Sequence, residues 1–177
     1  MRRPRTLFAV LGVLLVAVAA TLLVTGGSSA APTKSQALFK RTLLADAKTT
    51  ADVKKLLGDG GGFVAPDITF EDLTGDGRSD AIVLVDTGGV AGAVALYVFS
   101  TDGEPAGRDL RVVYRSQRLY QSSAEVADAA LILSTPRYVE GDDVCCPAKI
   151  VQRTYVWSAG NKTLRQRSSQ ELDGPSG

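Results

Sequence analysis

Two hydrophobic rhythms divide the chain. Between Pro32 and Leu57, the residues Ala37, Leu38, Leu43, Leu44 and Ala47 recur at a spacing of about 3.6 and alternate with Lys34, Lys40, Arg41 and Asp46, which predicts two short amphipathic helices. Thr49 or Thr50 caps the second, Asp52 falls in its first turn, Leu56 and Leu57 lie on its buried face, and the glycine-rich run 58–62 ends it. From Phe63 the period shortens to two, with Ile68 and Phe70 alternating with Thr69 and Glu71. Ala81 to Val85 is a continuous, β-branched run that predicts a central strand buried on both faces or closely packed on one. Further strands are predicted at Val94 to Phe99, Leu110 to Tyr114, Ala129 to Ser134, Ile150 to Trp157 and Lys162 to Gln166.

The connections are short. Thr87 to Gly92, Thr101 to Pro105 and Ser158 to Asn161 carry the Gly, Pro and Asn of turns, and parallel pairing would need crossovers of about a dozen residues. The prediction is an α+β fold: a mostly antiparallel meander sheet of about six or seven strands with one or two N-terminal helices packed on it. The helical segment with its Gly-rich linker spans 31–62, the β-rich domain 63–167 and a polar, disordered tail 168–177.

At the N-terminus a third pattern stands apart. Arg2, Arg3 and Arg5 precede an uncharged run of 19 residues from Thr6 to Val24, followed by small residues up to Ala31. Basic residues, an apolar stretch and small residues are the grammar of an export signal, with Ser28 and Ala30 suited to cleavage after Ala30. The same run, at about 1.5 Å per residue, is long enough to act as an uncleaved anchor. Residues 1–30 are thus a signal peptide or N-terminal membrane anchor, and both outcomes place the remainder outside the cytoplasm. The expected membrane contact is through this segment alone.

Charge and composition then remove functions. The 177 residues include 20 basic and 19 acidic ones; without the three N-terminal arginines, 17 remain against 19, about −2, which argues against a nucleic-acid partner. Histidine is absent, so imidazole-based triads and His-ligated zinc are excluded. The two cysteines, Cys145 and Cys146, are adjacent. In an oxidising compartment they predict a vicinal disulfide, with a reduced buried pair or bridges to a partner chain as alternatives. Two sulfurs do not complete a zinc site.

One stretch names a chemistry. Asp72-Leu73-Thr74-Gly75-Asp76-Gly77-Arg78-Ser79-Asp80 gathers three carboxylates and two glycines between apolar runs. Oxygens from Asp72, Thr74, Asp76 and Asp80, with the backbone carbonyl of Arg78, follow the order in which a short loop wraps Ca²⁺. The twelfth position is Val83 rather than Glu, so the loop is not an EF-hand. A plain turn, with Asp side chains bonding nearby N–H groups, is the competing reading.

This run resembles the calcium-binding core of FG-GAP repeats, in which Asp-x-Asn-Gly-Asp-Gly-x-x-Asp precedes an apolar strand. Those repeats build β-propellers, and a single copy closes none. From Thr50 to Gln166, the order of helical segment, Asp-Leu-Thr-Gly-Asp-Gly-Arg loop, Gly-Gly-x-Ala-Gly turn, Tyr-Val-Phe strand, Cys-Cys-Pro and aromatic strand is similar to the LppP/LprE lipoprotein family of actinobacterial envelopes. The resemblance implies an exported, envelope-associated domain with no known catalytic activity. The lipid-accepting cysteine of that family is missing here, which leaves secretion or the N-terminal helix. The expectation is an exported, non-enzymatic module with a structural Ca²⁺ loop and an unknown envelope protein or glycan as partner. Two alternatives stand beside it: a carboxylate hydrolase using Asp76, Asp80 or Asp86 as acid and base, and a redox sensor at Cys145 and Cys146.

Overall fold

The computed structural model describes residues 33–100 and 110–175. The expected export segment and the turn expected at Thr101 to Pro105 lie outside the described residues. Two helices, α1 (Lys34–Ala45) and α2 (Ala51–Gly58), are followed by nine strands: β1 (Phe63–Val64), β2 (Thr69–Glu71), β3 (Asp80–Asp86), β4 (Ala93–Ser100), β5 (Arg111–Gln117), β6 (Ser123–Ala127), β7 (Ala130–Arg137), β8 (Lys149–Ser158) and β9 (Thr163–Asp173). The fold is α+β, every strand pair is antiparallel, and the helices are N-terminal.

The strands form two sheets rather than one. In the first, β3, β4 and β5 run in sequence order while β1 and β2 pair one after the other along the same edge of β3; in the second, β6 to β9 form a four-stranded meander. The sheets stack, and the helices cover the outer face of the first. On that face Phe39, Leu43, Val53 and Leu57 meet Val83, Val85, Ala95, Tyr97 and Phe99. On its other face Ile82, Leu96 and Val98 meet Leu131, Leu133 and Leu164, with Tyr155 and Trp157 at the margin. The period of two explains the division: neighbouring residues of β3 and β4 point to opposite cores, and an uninterrupted apolar run is what such strands require.

Three details depart from the sequence reading. The buried stripe of the helices is Phe39, Leu43, Val53 and Leu57, whereas Leu38 and Leu44 remain exposed. Strand β6 was not expected; it reaches β7 through Asp128 and Ala129, both at positive φ (51° and 55°), a tight hairpin made without glycine. The expected disordered tail is corrected as well, because residues 168–173 continue β9 and pair with β8 to its far end. Polar side chains suggested disorder, but an outer strand exposes most of its side chains and is ordered through its backbone ladder. Exposed ion pairs from Lys149 to Asp173 and Arg137 to Glu171, each 2.7 Å, flank that end.

The helices are tied to the sheet at their junction. Thr33 and Gln36 form a capping box at α1. Thr50 occupies the cap position of α2 but makes no side-chain cap bond; its N–H donates instead to Oε1 of Gln117 on β5, at 2.7 Å. The same oxygen accepts from the Tyr97 hydroxyl at 2.9 Å, and Nε2 of Gln117 donates to the Lys48 carbonyl at 3.2 Å. Replacing Gln117 by Ala strands these partners and is expected to cost about 2 kcal/mol. Faster exchange of the α2 amides, measured by hydrogen exchange, checks that the loss is at the junction.

Candidate functional site

The acidic loop joins β2 to β3, which pair up to Glu71 opposite Asp80. Its residues do two separate jobs. Asp72 closes the outer turn: Oδ1 accepts from the N–H groups of Gly75 (2.7 Å) and Asp76 (3.2 Å), and Oδ2 from that of Gly77 (2.9 Å). Gly75 and Gly77 have φ of 74° and 81°, which only glycine adopts at little cost. Asp76 Oδ1 accepts from the N–H of Arg78 at 2.9 Å.

Asp80 works at the base. It is 1% exposed, and its Oδ2 accepts from the N–H groups of Leu73 (2.9 Å) and Thr74 (2.8 Å). The hydroxyl of Thr74 stands 3.5 Å from Oδ1, and the buried Ser100 hydroxyl also bonds this carboxylate. Burial raises the Asp80 carboxyl above the usual aspartate range, against the opposing effect of these hydrogen bonds. The bonds hold Leu73 in place, and its side chain is buried in the core between the sheets.

Both Asp72 oxygens and one Asp80 oxygen are taken by backbone donors, Asp80 is turned inward, and among the described residues no three of His, Cys, Asp or Glu are grouped to hold a metal ion. Asp72, Thr74, Asp76, Arg78 and Asp80 share one loop without forming a cation cage in this arrangement. A carboxylate turn accounts for every contact just described.

Of the hydrolase candidates, Asp80 and Asp86 are not brought together. Asp80 and Asp86 stand at opposite ends of β3, about 20 Å apart at roughly 3.3 Å per residue, whereas a glycosidase pair needs about 5–9.5 Å. Asp86 accepts from the N–H of Gly88 at 2.6 Å in the next hairpin. Asp80 is too deeply buried to touch a substrate.

Cys145 and Cys146 are bridged to each other, with Cα atoms 3.8 Å apart. They sit in the loop between β7 and β8, which is pinned from several sides. Asp142 Oδ2 accepts from Val139 N–H (2.9 Å) and Ala148 N–H (2.8 Å). The Tyr138 hydroxyl donates to the Val144 carbonyl at 2.7 Å and also bonds Gln121. Beside the bridge, a cleft of about 220 Å³ opens on the outer face of the second sheet. No sequence signal marked it, because its residues come from β6, β7, β8 and the loops around them.

No family model matches the chain, and no match is found among curated proteins or solved structures. The resemblances to LppP/LprE lipoproteins and to FG-GAP repeats therefore rest on the quoted residues alone.

Proposed function

We propose that this chain is an exported, non-enzymatic module of the cell envelope or its surroundings, in which the acidic loop is a structural clamp. The observation that carries this reading is the engagement of Asp72, Asp76 and Asp80 by backbone N–H groups within their own hairpin. Carboxylates so committed hold a loop closed; a general acid or base needs an oxygen within reach of substrate. Export is supported by the arginines and apolar run ahead of Thr25 and by the bridged cysteine pair, which suits an oxidising compartment.

Two measurements test the proposal. Alkaline phosphatase fused after Gly177 is expected to be active in the native host, since that reporter folds only outside the cytoplasm; an inactive, stably expressed fusion overturns export. The melting temperature of the soluble domain is expected to be the same in millimolar Ca²⁺ as in chelator. A rise of several degrees would restore calcium to the loop, because a ligand that binds only the folded state stabilises it by mass action.

A further inference from the structure

We infer that the cleft beside the vicinal disulfide is a binding site for a neutral saccharide. The inference deepens the functional reading above and rests on it through the oxidised state of the cysteine pair. The cleft is lined by Ser123 on β6, Ser134 and Pro136 on β7, Ile150 on β8, and Cys145 and Pro147 of the pinned loop, with Gln121 at its edge. None of these side chains is charged. A phosphate, carboxylate or ammonium group would enter without an opposite charge to meet it, at the full cost of its desolvation.

The polar groups are arranged rather than scattered. Ser123 and Ser134 are directly opposed across the β6–β7 pair, so their Cβ atoms lie about 4.5–5.5 Å apart on one face. A chain of amides leads to one of them: Gln170 Nε2 donates to Gln152 Oε1 at 2.7 Å, and Gln152 Nε2 donates to Ser134 Oγ at 3.4 Å. With a lone pair of Ser134 occupied by Gln152, its partner across the β7–β8 pair, its O–H is left to donate into the cleft. Two hydroxyls at that separation match the adjacent hydroxyls of a sugar ring.

The opposite wall is apolar. Cys145 is exposed, Pro147 is buried, and Asp142 and Tyr138 hold the loop that carries them. A sugar has this same division, with hydroxyls at its rim and C–H groups across its faces. Cys145 packs the C–H face while the serines take the rim. Because the wall is held before any ligand arrives, little ordering is required on binding.

The test uses the soluble domain with the bridge confirmed by mass spectrometry under non-reducing conditions. Free thiols in protein recovered from the native host would overturn the premise of export and oxidation, separately from the binding result. Cellohexaose, mannohexaose and arabinohexaose are titrated to millimolar concentration and followed by amide chemical shifts. At least one is expected to move the amides of Ser123, Ser134 and Cys145 selectively. Ser134→Val, a change on an outer strand face that keeps the fold, is expected to weaken that binding about tenfold, the loss of one directed hydrogen bond. Reduction of the bridge is expected to abolish the shifts while the core spectrum persists. Absence of shifts with the bridge intact, shifts confined to another surface, unchanged affinity in Ser134→Val, or binding of a proline-rich peptide in place of all three sugars each overturns the proposal.

Discussion

Asp80→Ala is expected to lower stability by about 3 kcal/mol, which corresponds to a melting temperature lower by roughly 10 °C in a domain of this size. The substitution removes the acceptor for the N–H groups of Leu73 and Thr74 and leaves both donors without partners. Leu73 then loses its anchor at the margin of the core between the sheets. Asp80→Asn separates the hydrogen bonds from the charge, because its amide oxygen still accepts both N–H groups and it carries no charge to desolvate. At neutral pH the Asn variant is expected to lose much less than the Ala variant.

The pH dependence has a defined sign. The folded Asp80 carboxyl titrates above its unfolded value because it is buried, so its protonation favours the folded state. Its contribution is fully present below the ordinary aspartate range and is lost as pH rises through the raised value. Wild type should therefore gain on Asp80→Asn as pH falls from neutral into the range just above that of an ordinary aspartate. Urea unfolding at a series of pH values measures the gap; a gap that moves in favour of Asn on acidification would contradict the burial argument.

The second large effect is expected at Phe39. Its ring packs on Phe99 with centroids 4.7 Å apart, and it is 4% exposed between α1 and the first sheet. Truncation to Ala leaves a cavity that neighbouring side chains fill only in part and is expected to cost about 3–5 kcal/mol. Phe39→Leu should cost less, about 1–1.5 kcal/mol. An unchanged denaturant slope in both variants would confirm that the loss is of packing and not of two-state behaviour. Equal, small losses would mean that α1 is not held by this contact.

These two positions show how unevenly the sequence reveals the molecule. The acidic loop and β3 were legible because their signals are local: glycines at fixed offsets among carboxylates, then five apolar residues in a row. Phe39 was not, since it lies between Leu38 and Lys40, and a spacing counted through Leu38 and Leu44 passes it by. Strand β6 escaped because its hairpin turns on Asp128 and Ala129 without a glycine, and Ala129 is not a residue type that announces a left-handed conformation. The length of β9 escaped because Ser168 to Asp173 is polar apart from Leu172 and its order comes from β8. The calcium expectation follows residue order alone, and order does not show direction: Asp80 Oδ2 turns to the N–H groups of Leu73 and Thr74. The cleft is the extreme case: Ser123 and Ser134 meet only through strand register.

The tandem placement of β1 and β2 has a consequence for life at high local concentration. A long, continuous sheet edge is a template for a second molecule to join. Along this edge of β3 the covering strands are only Phe63–Val64 and Thr69–Glu71, and Pro66, which has no N–H, lies between them. At the far side of the second sheet, β9 carries Arg165, Arg167 and Glu171 along its exposed length. The two margins are thereby ill-suited to strand-by-strand polymerisation, one because it is interrupted and the other because it is charged.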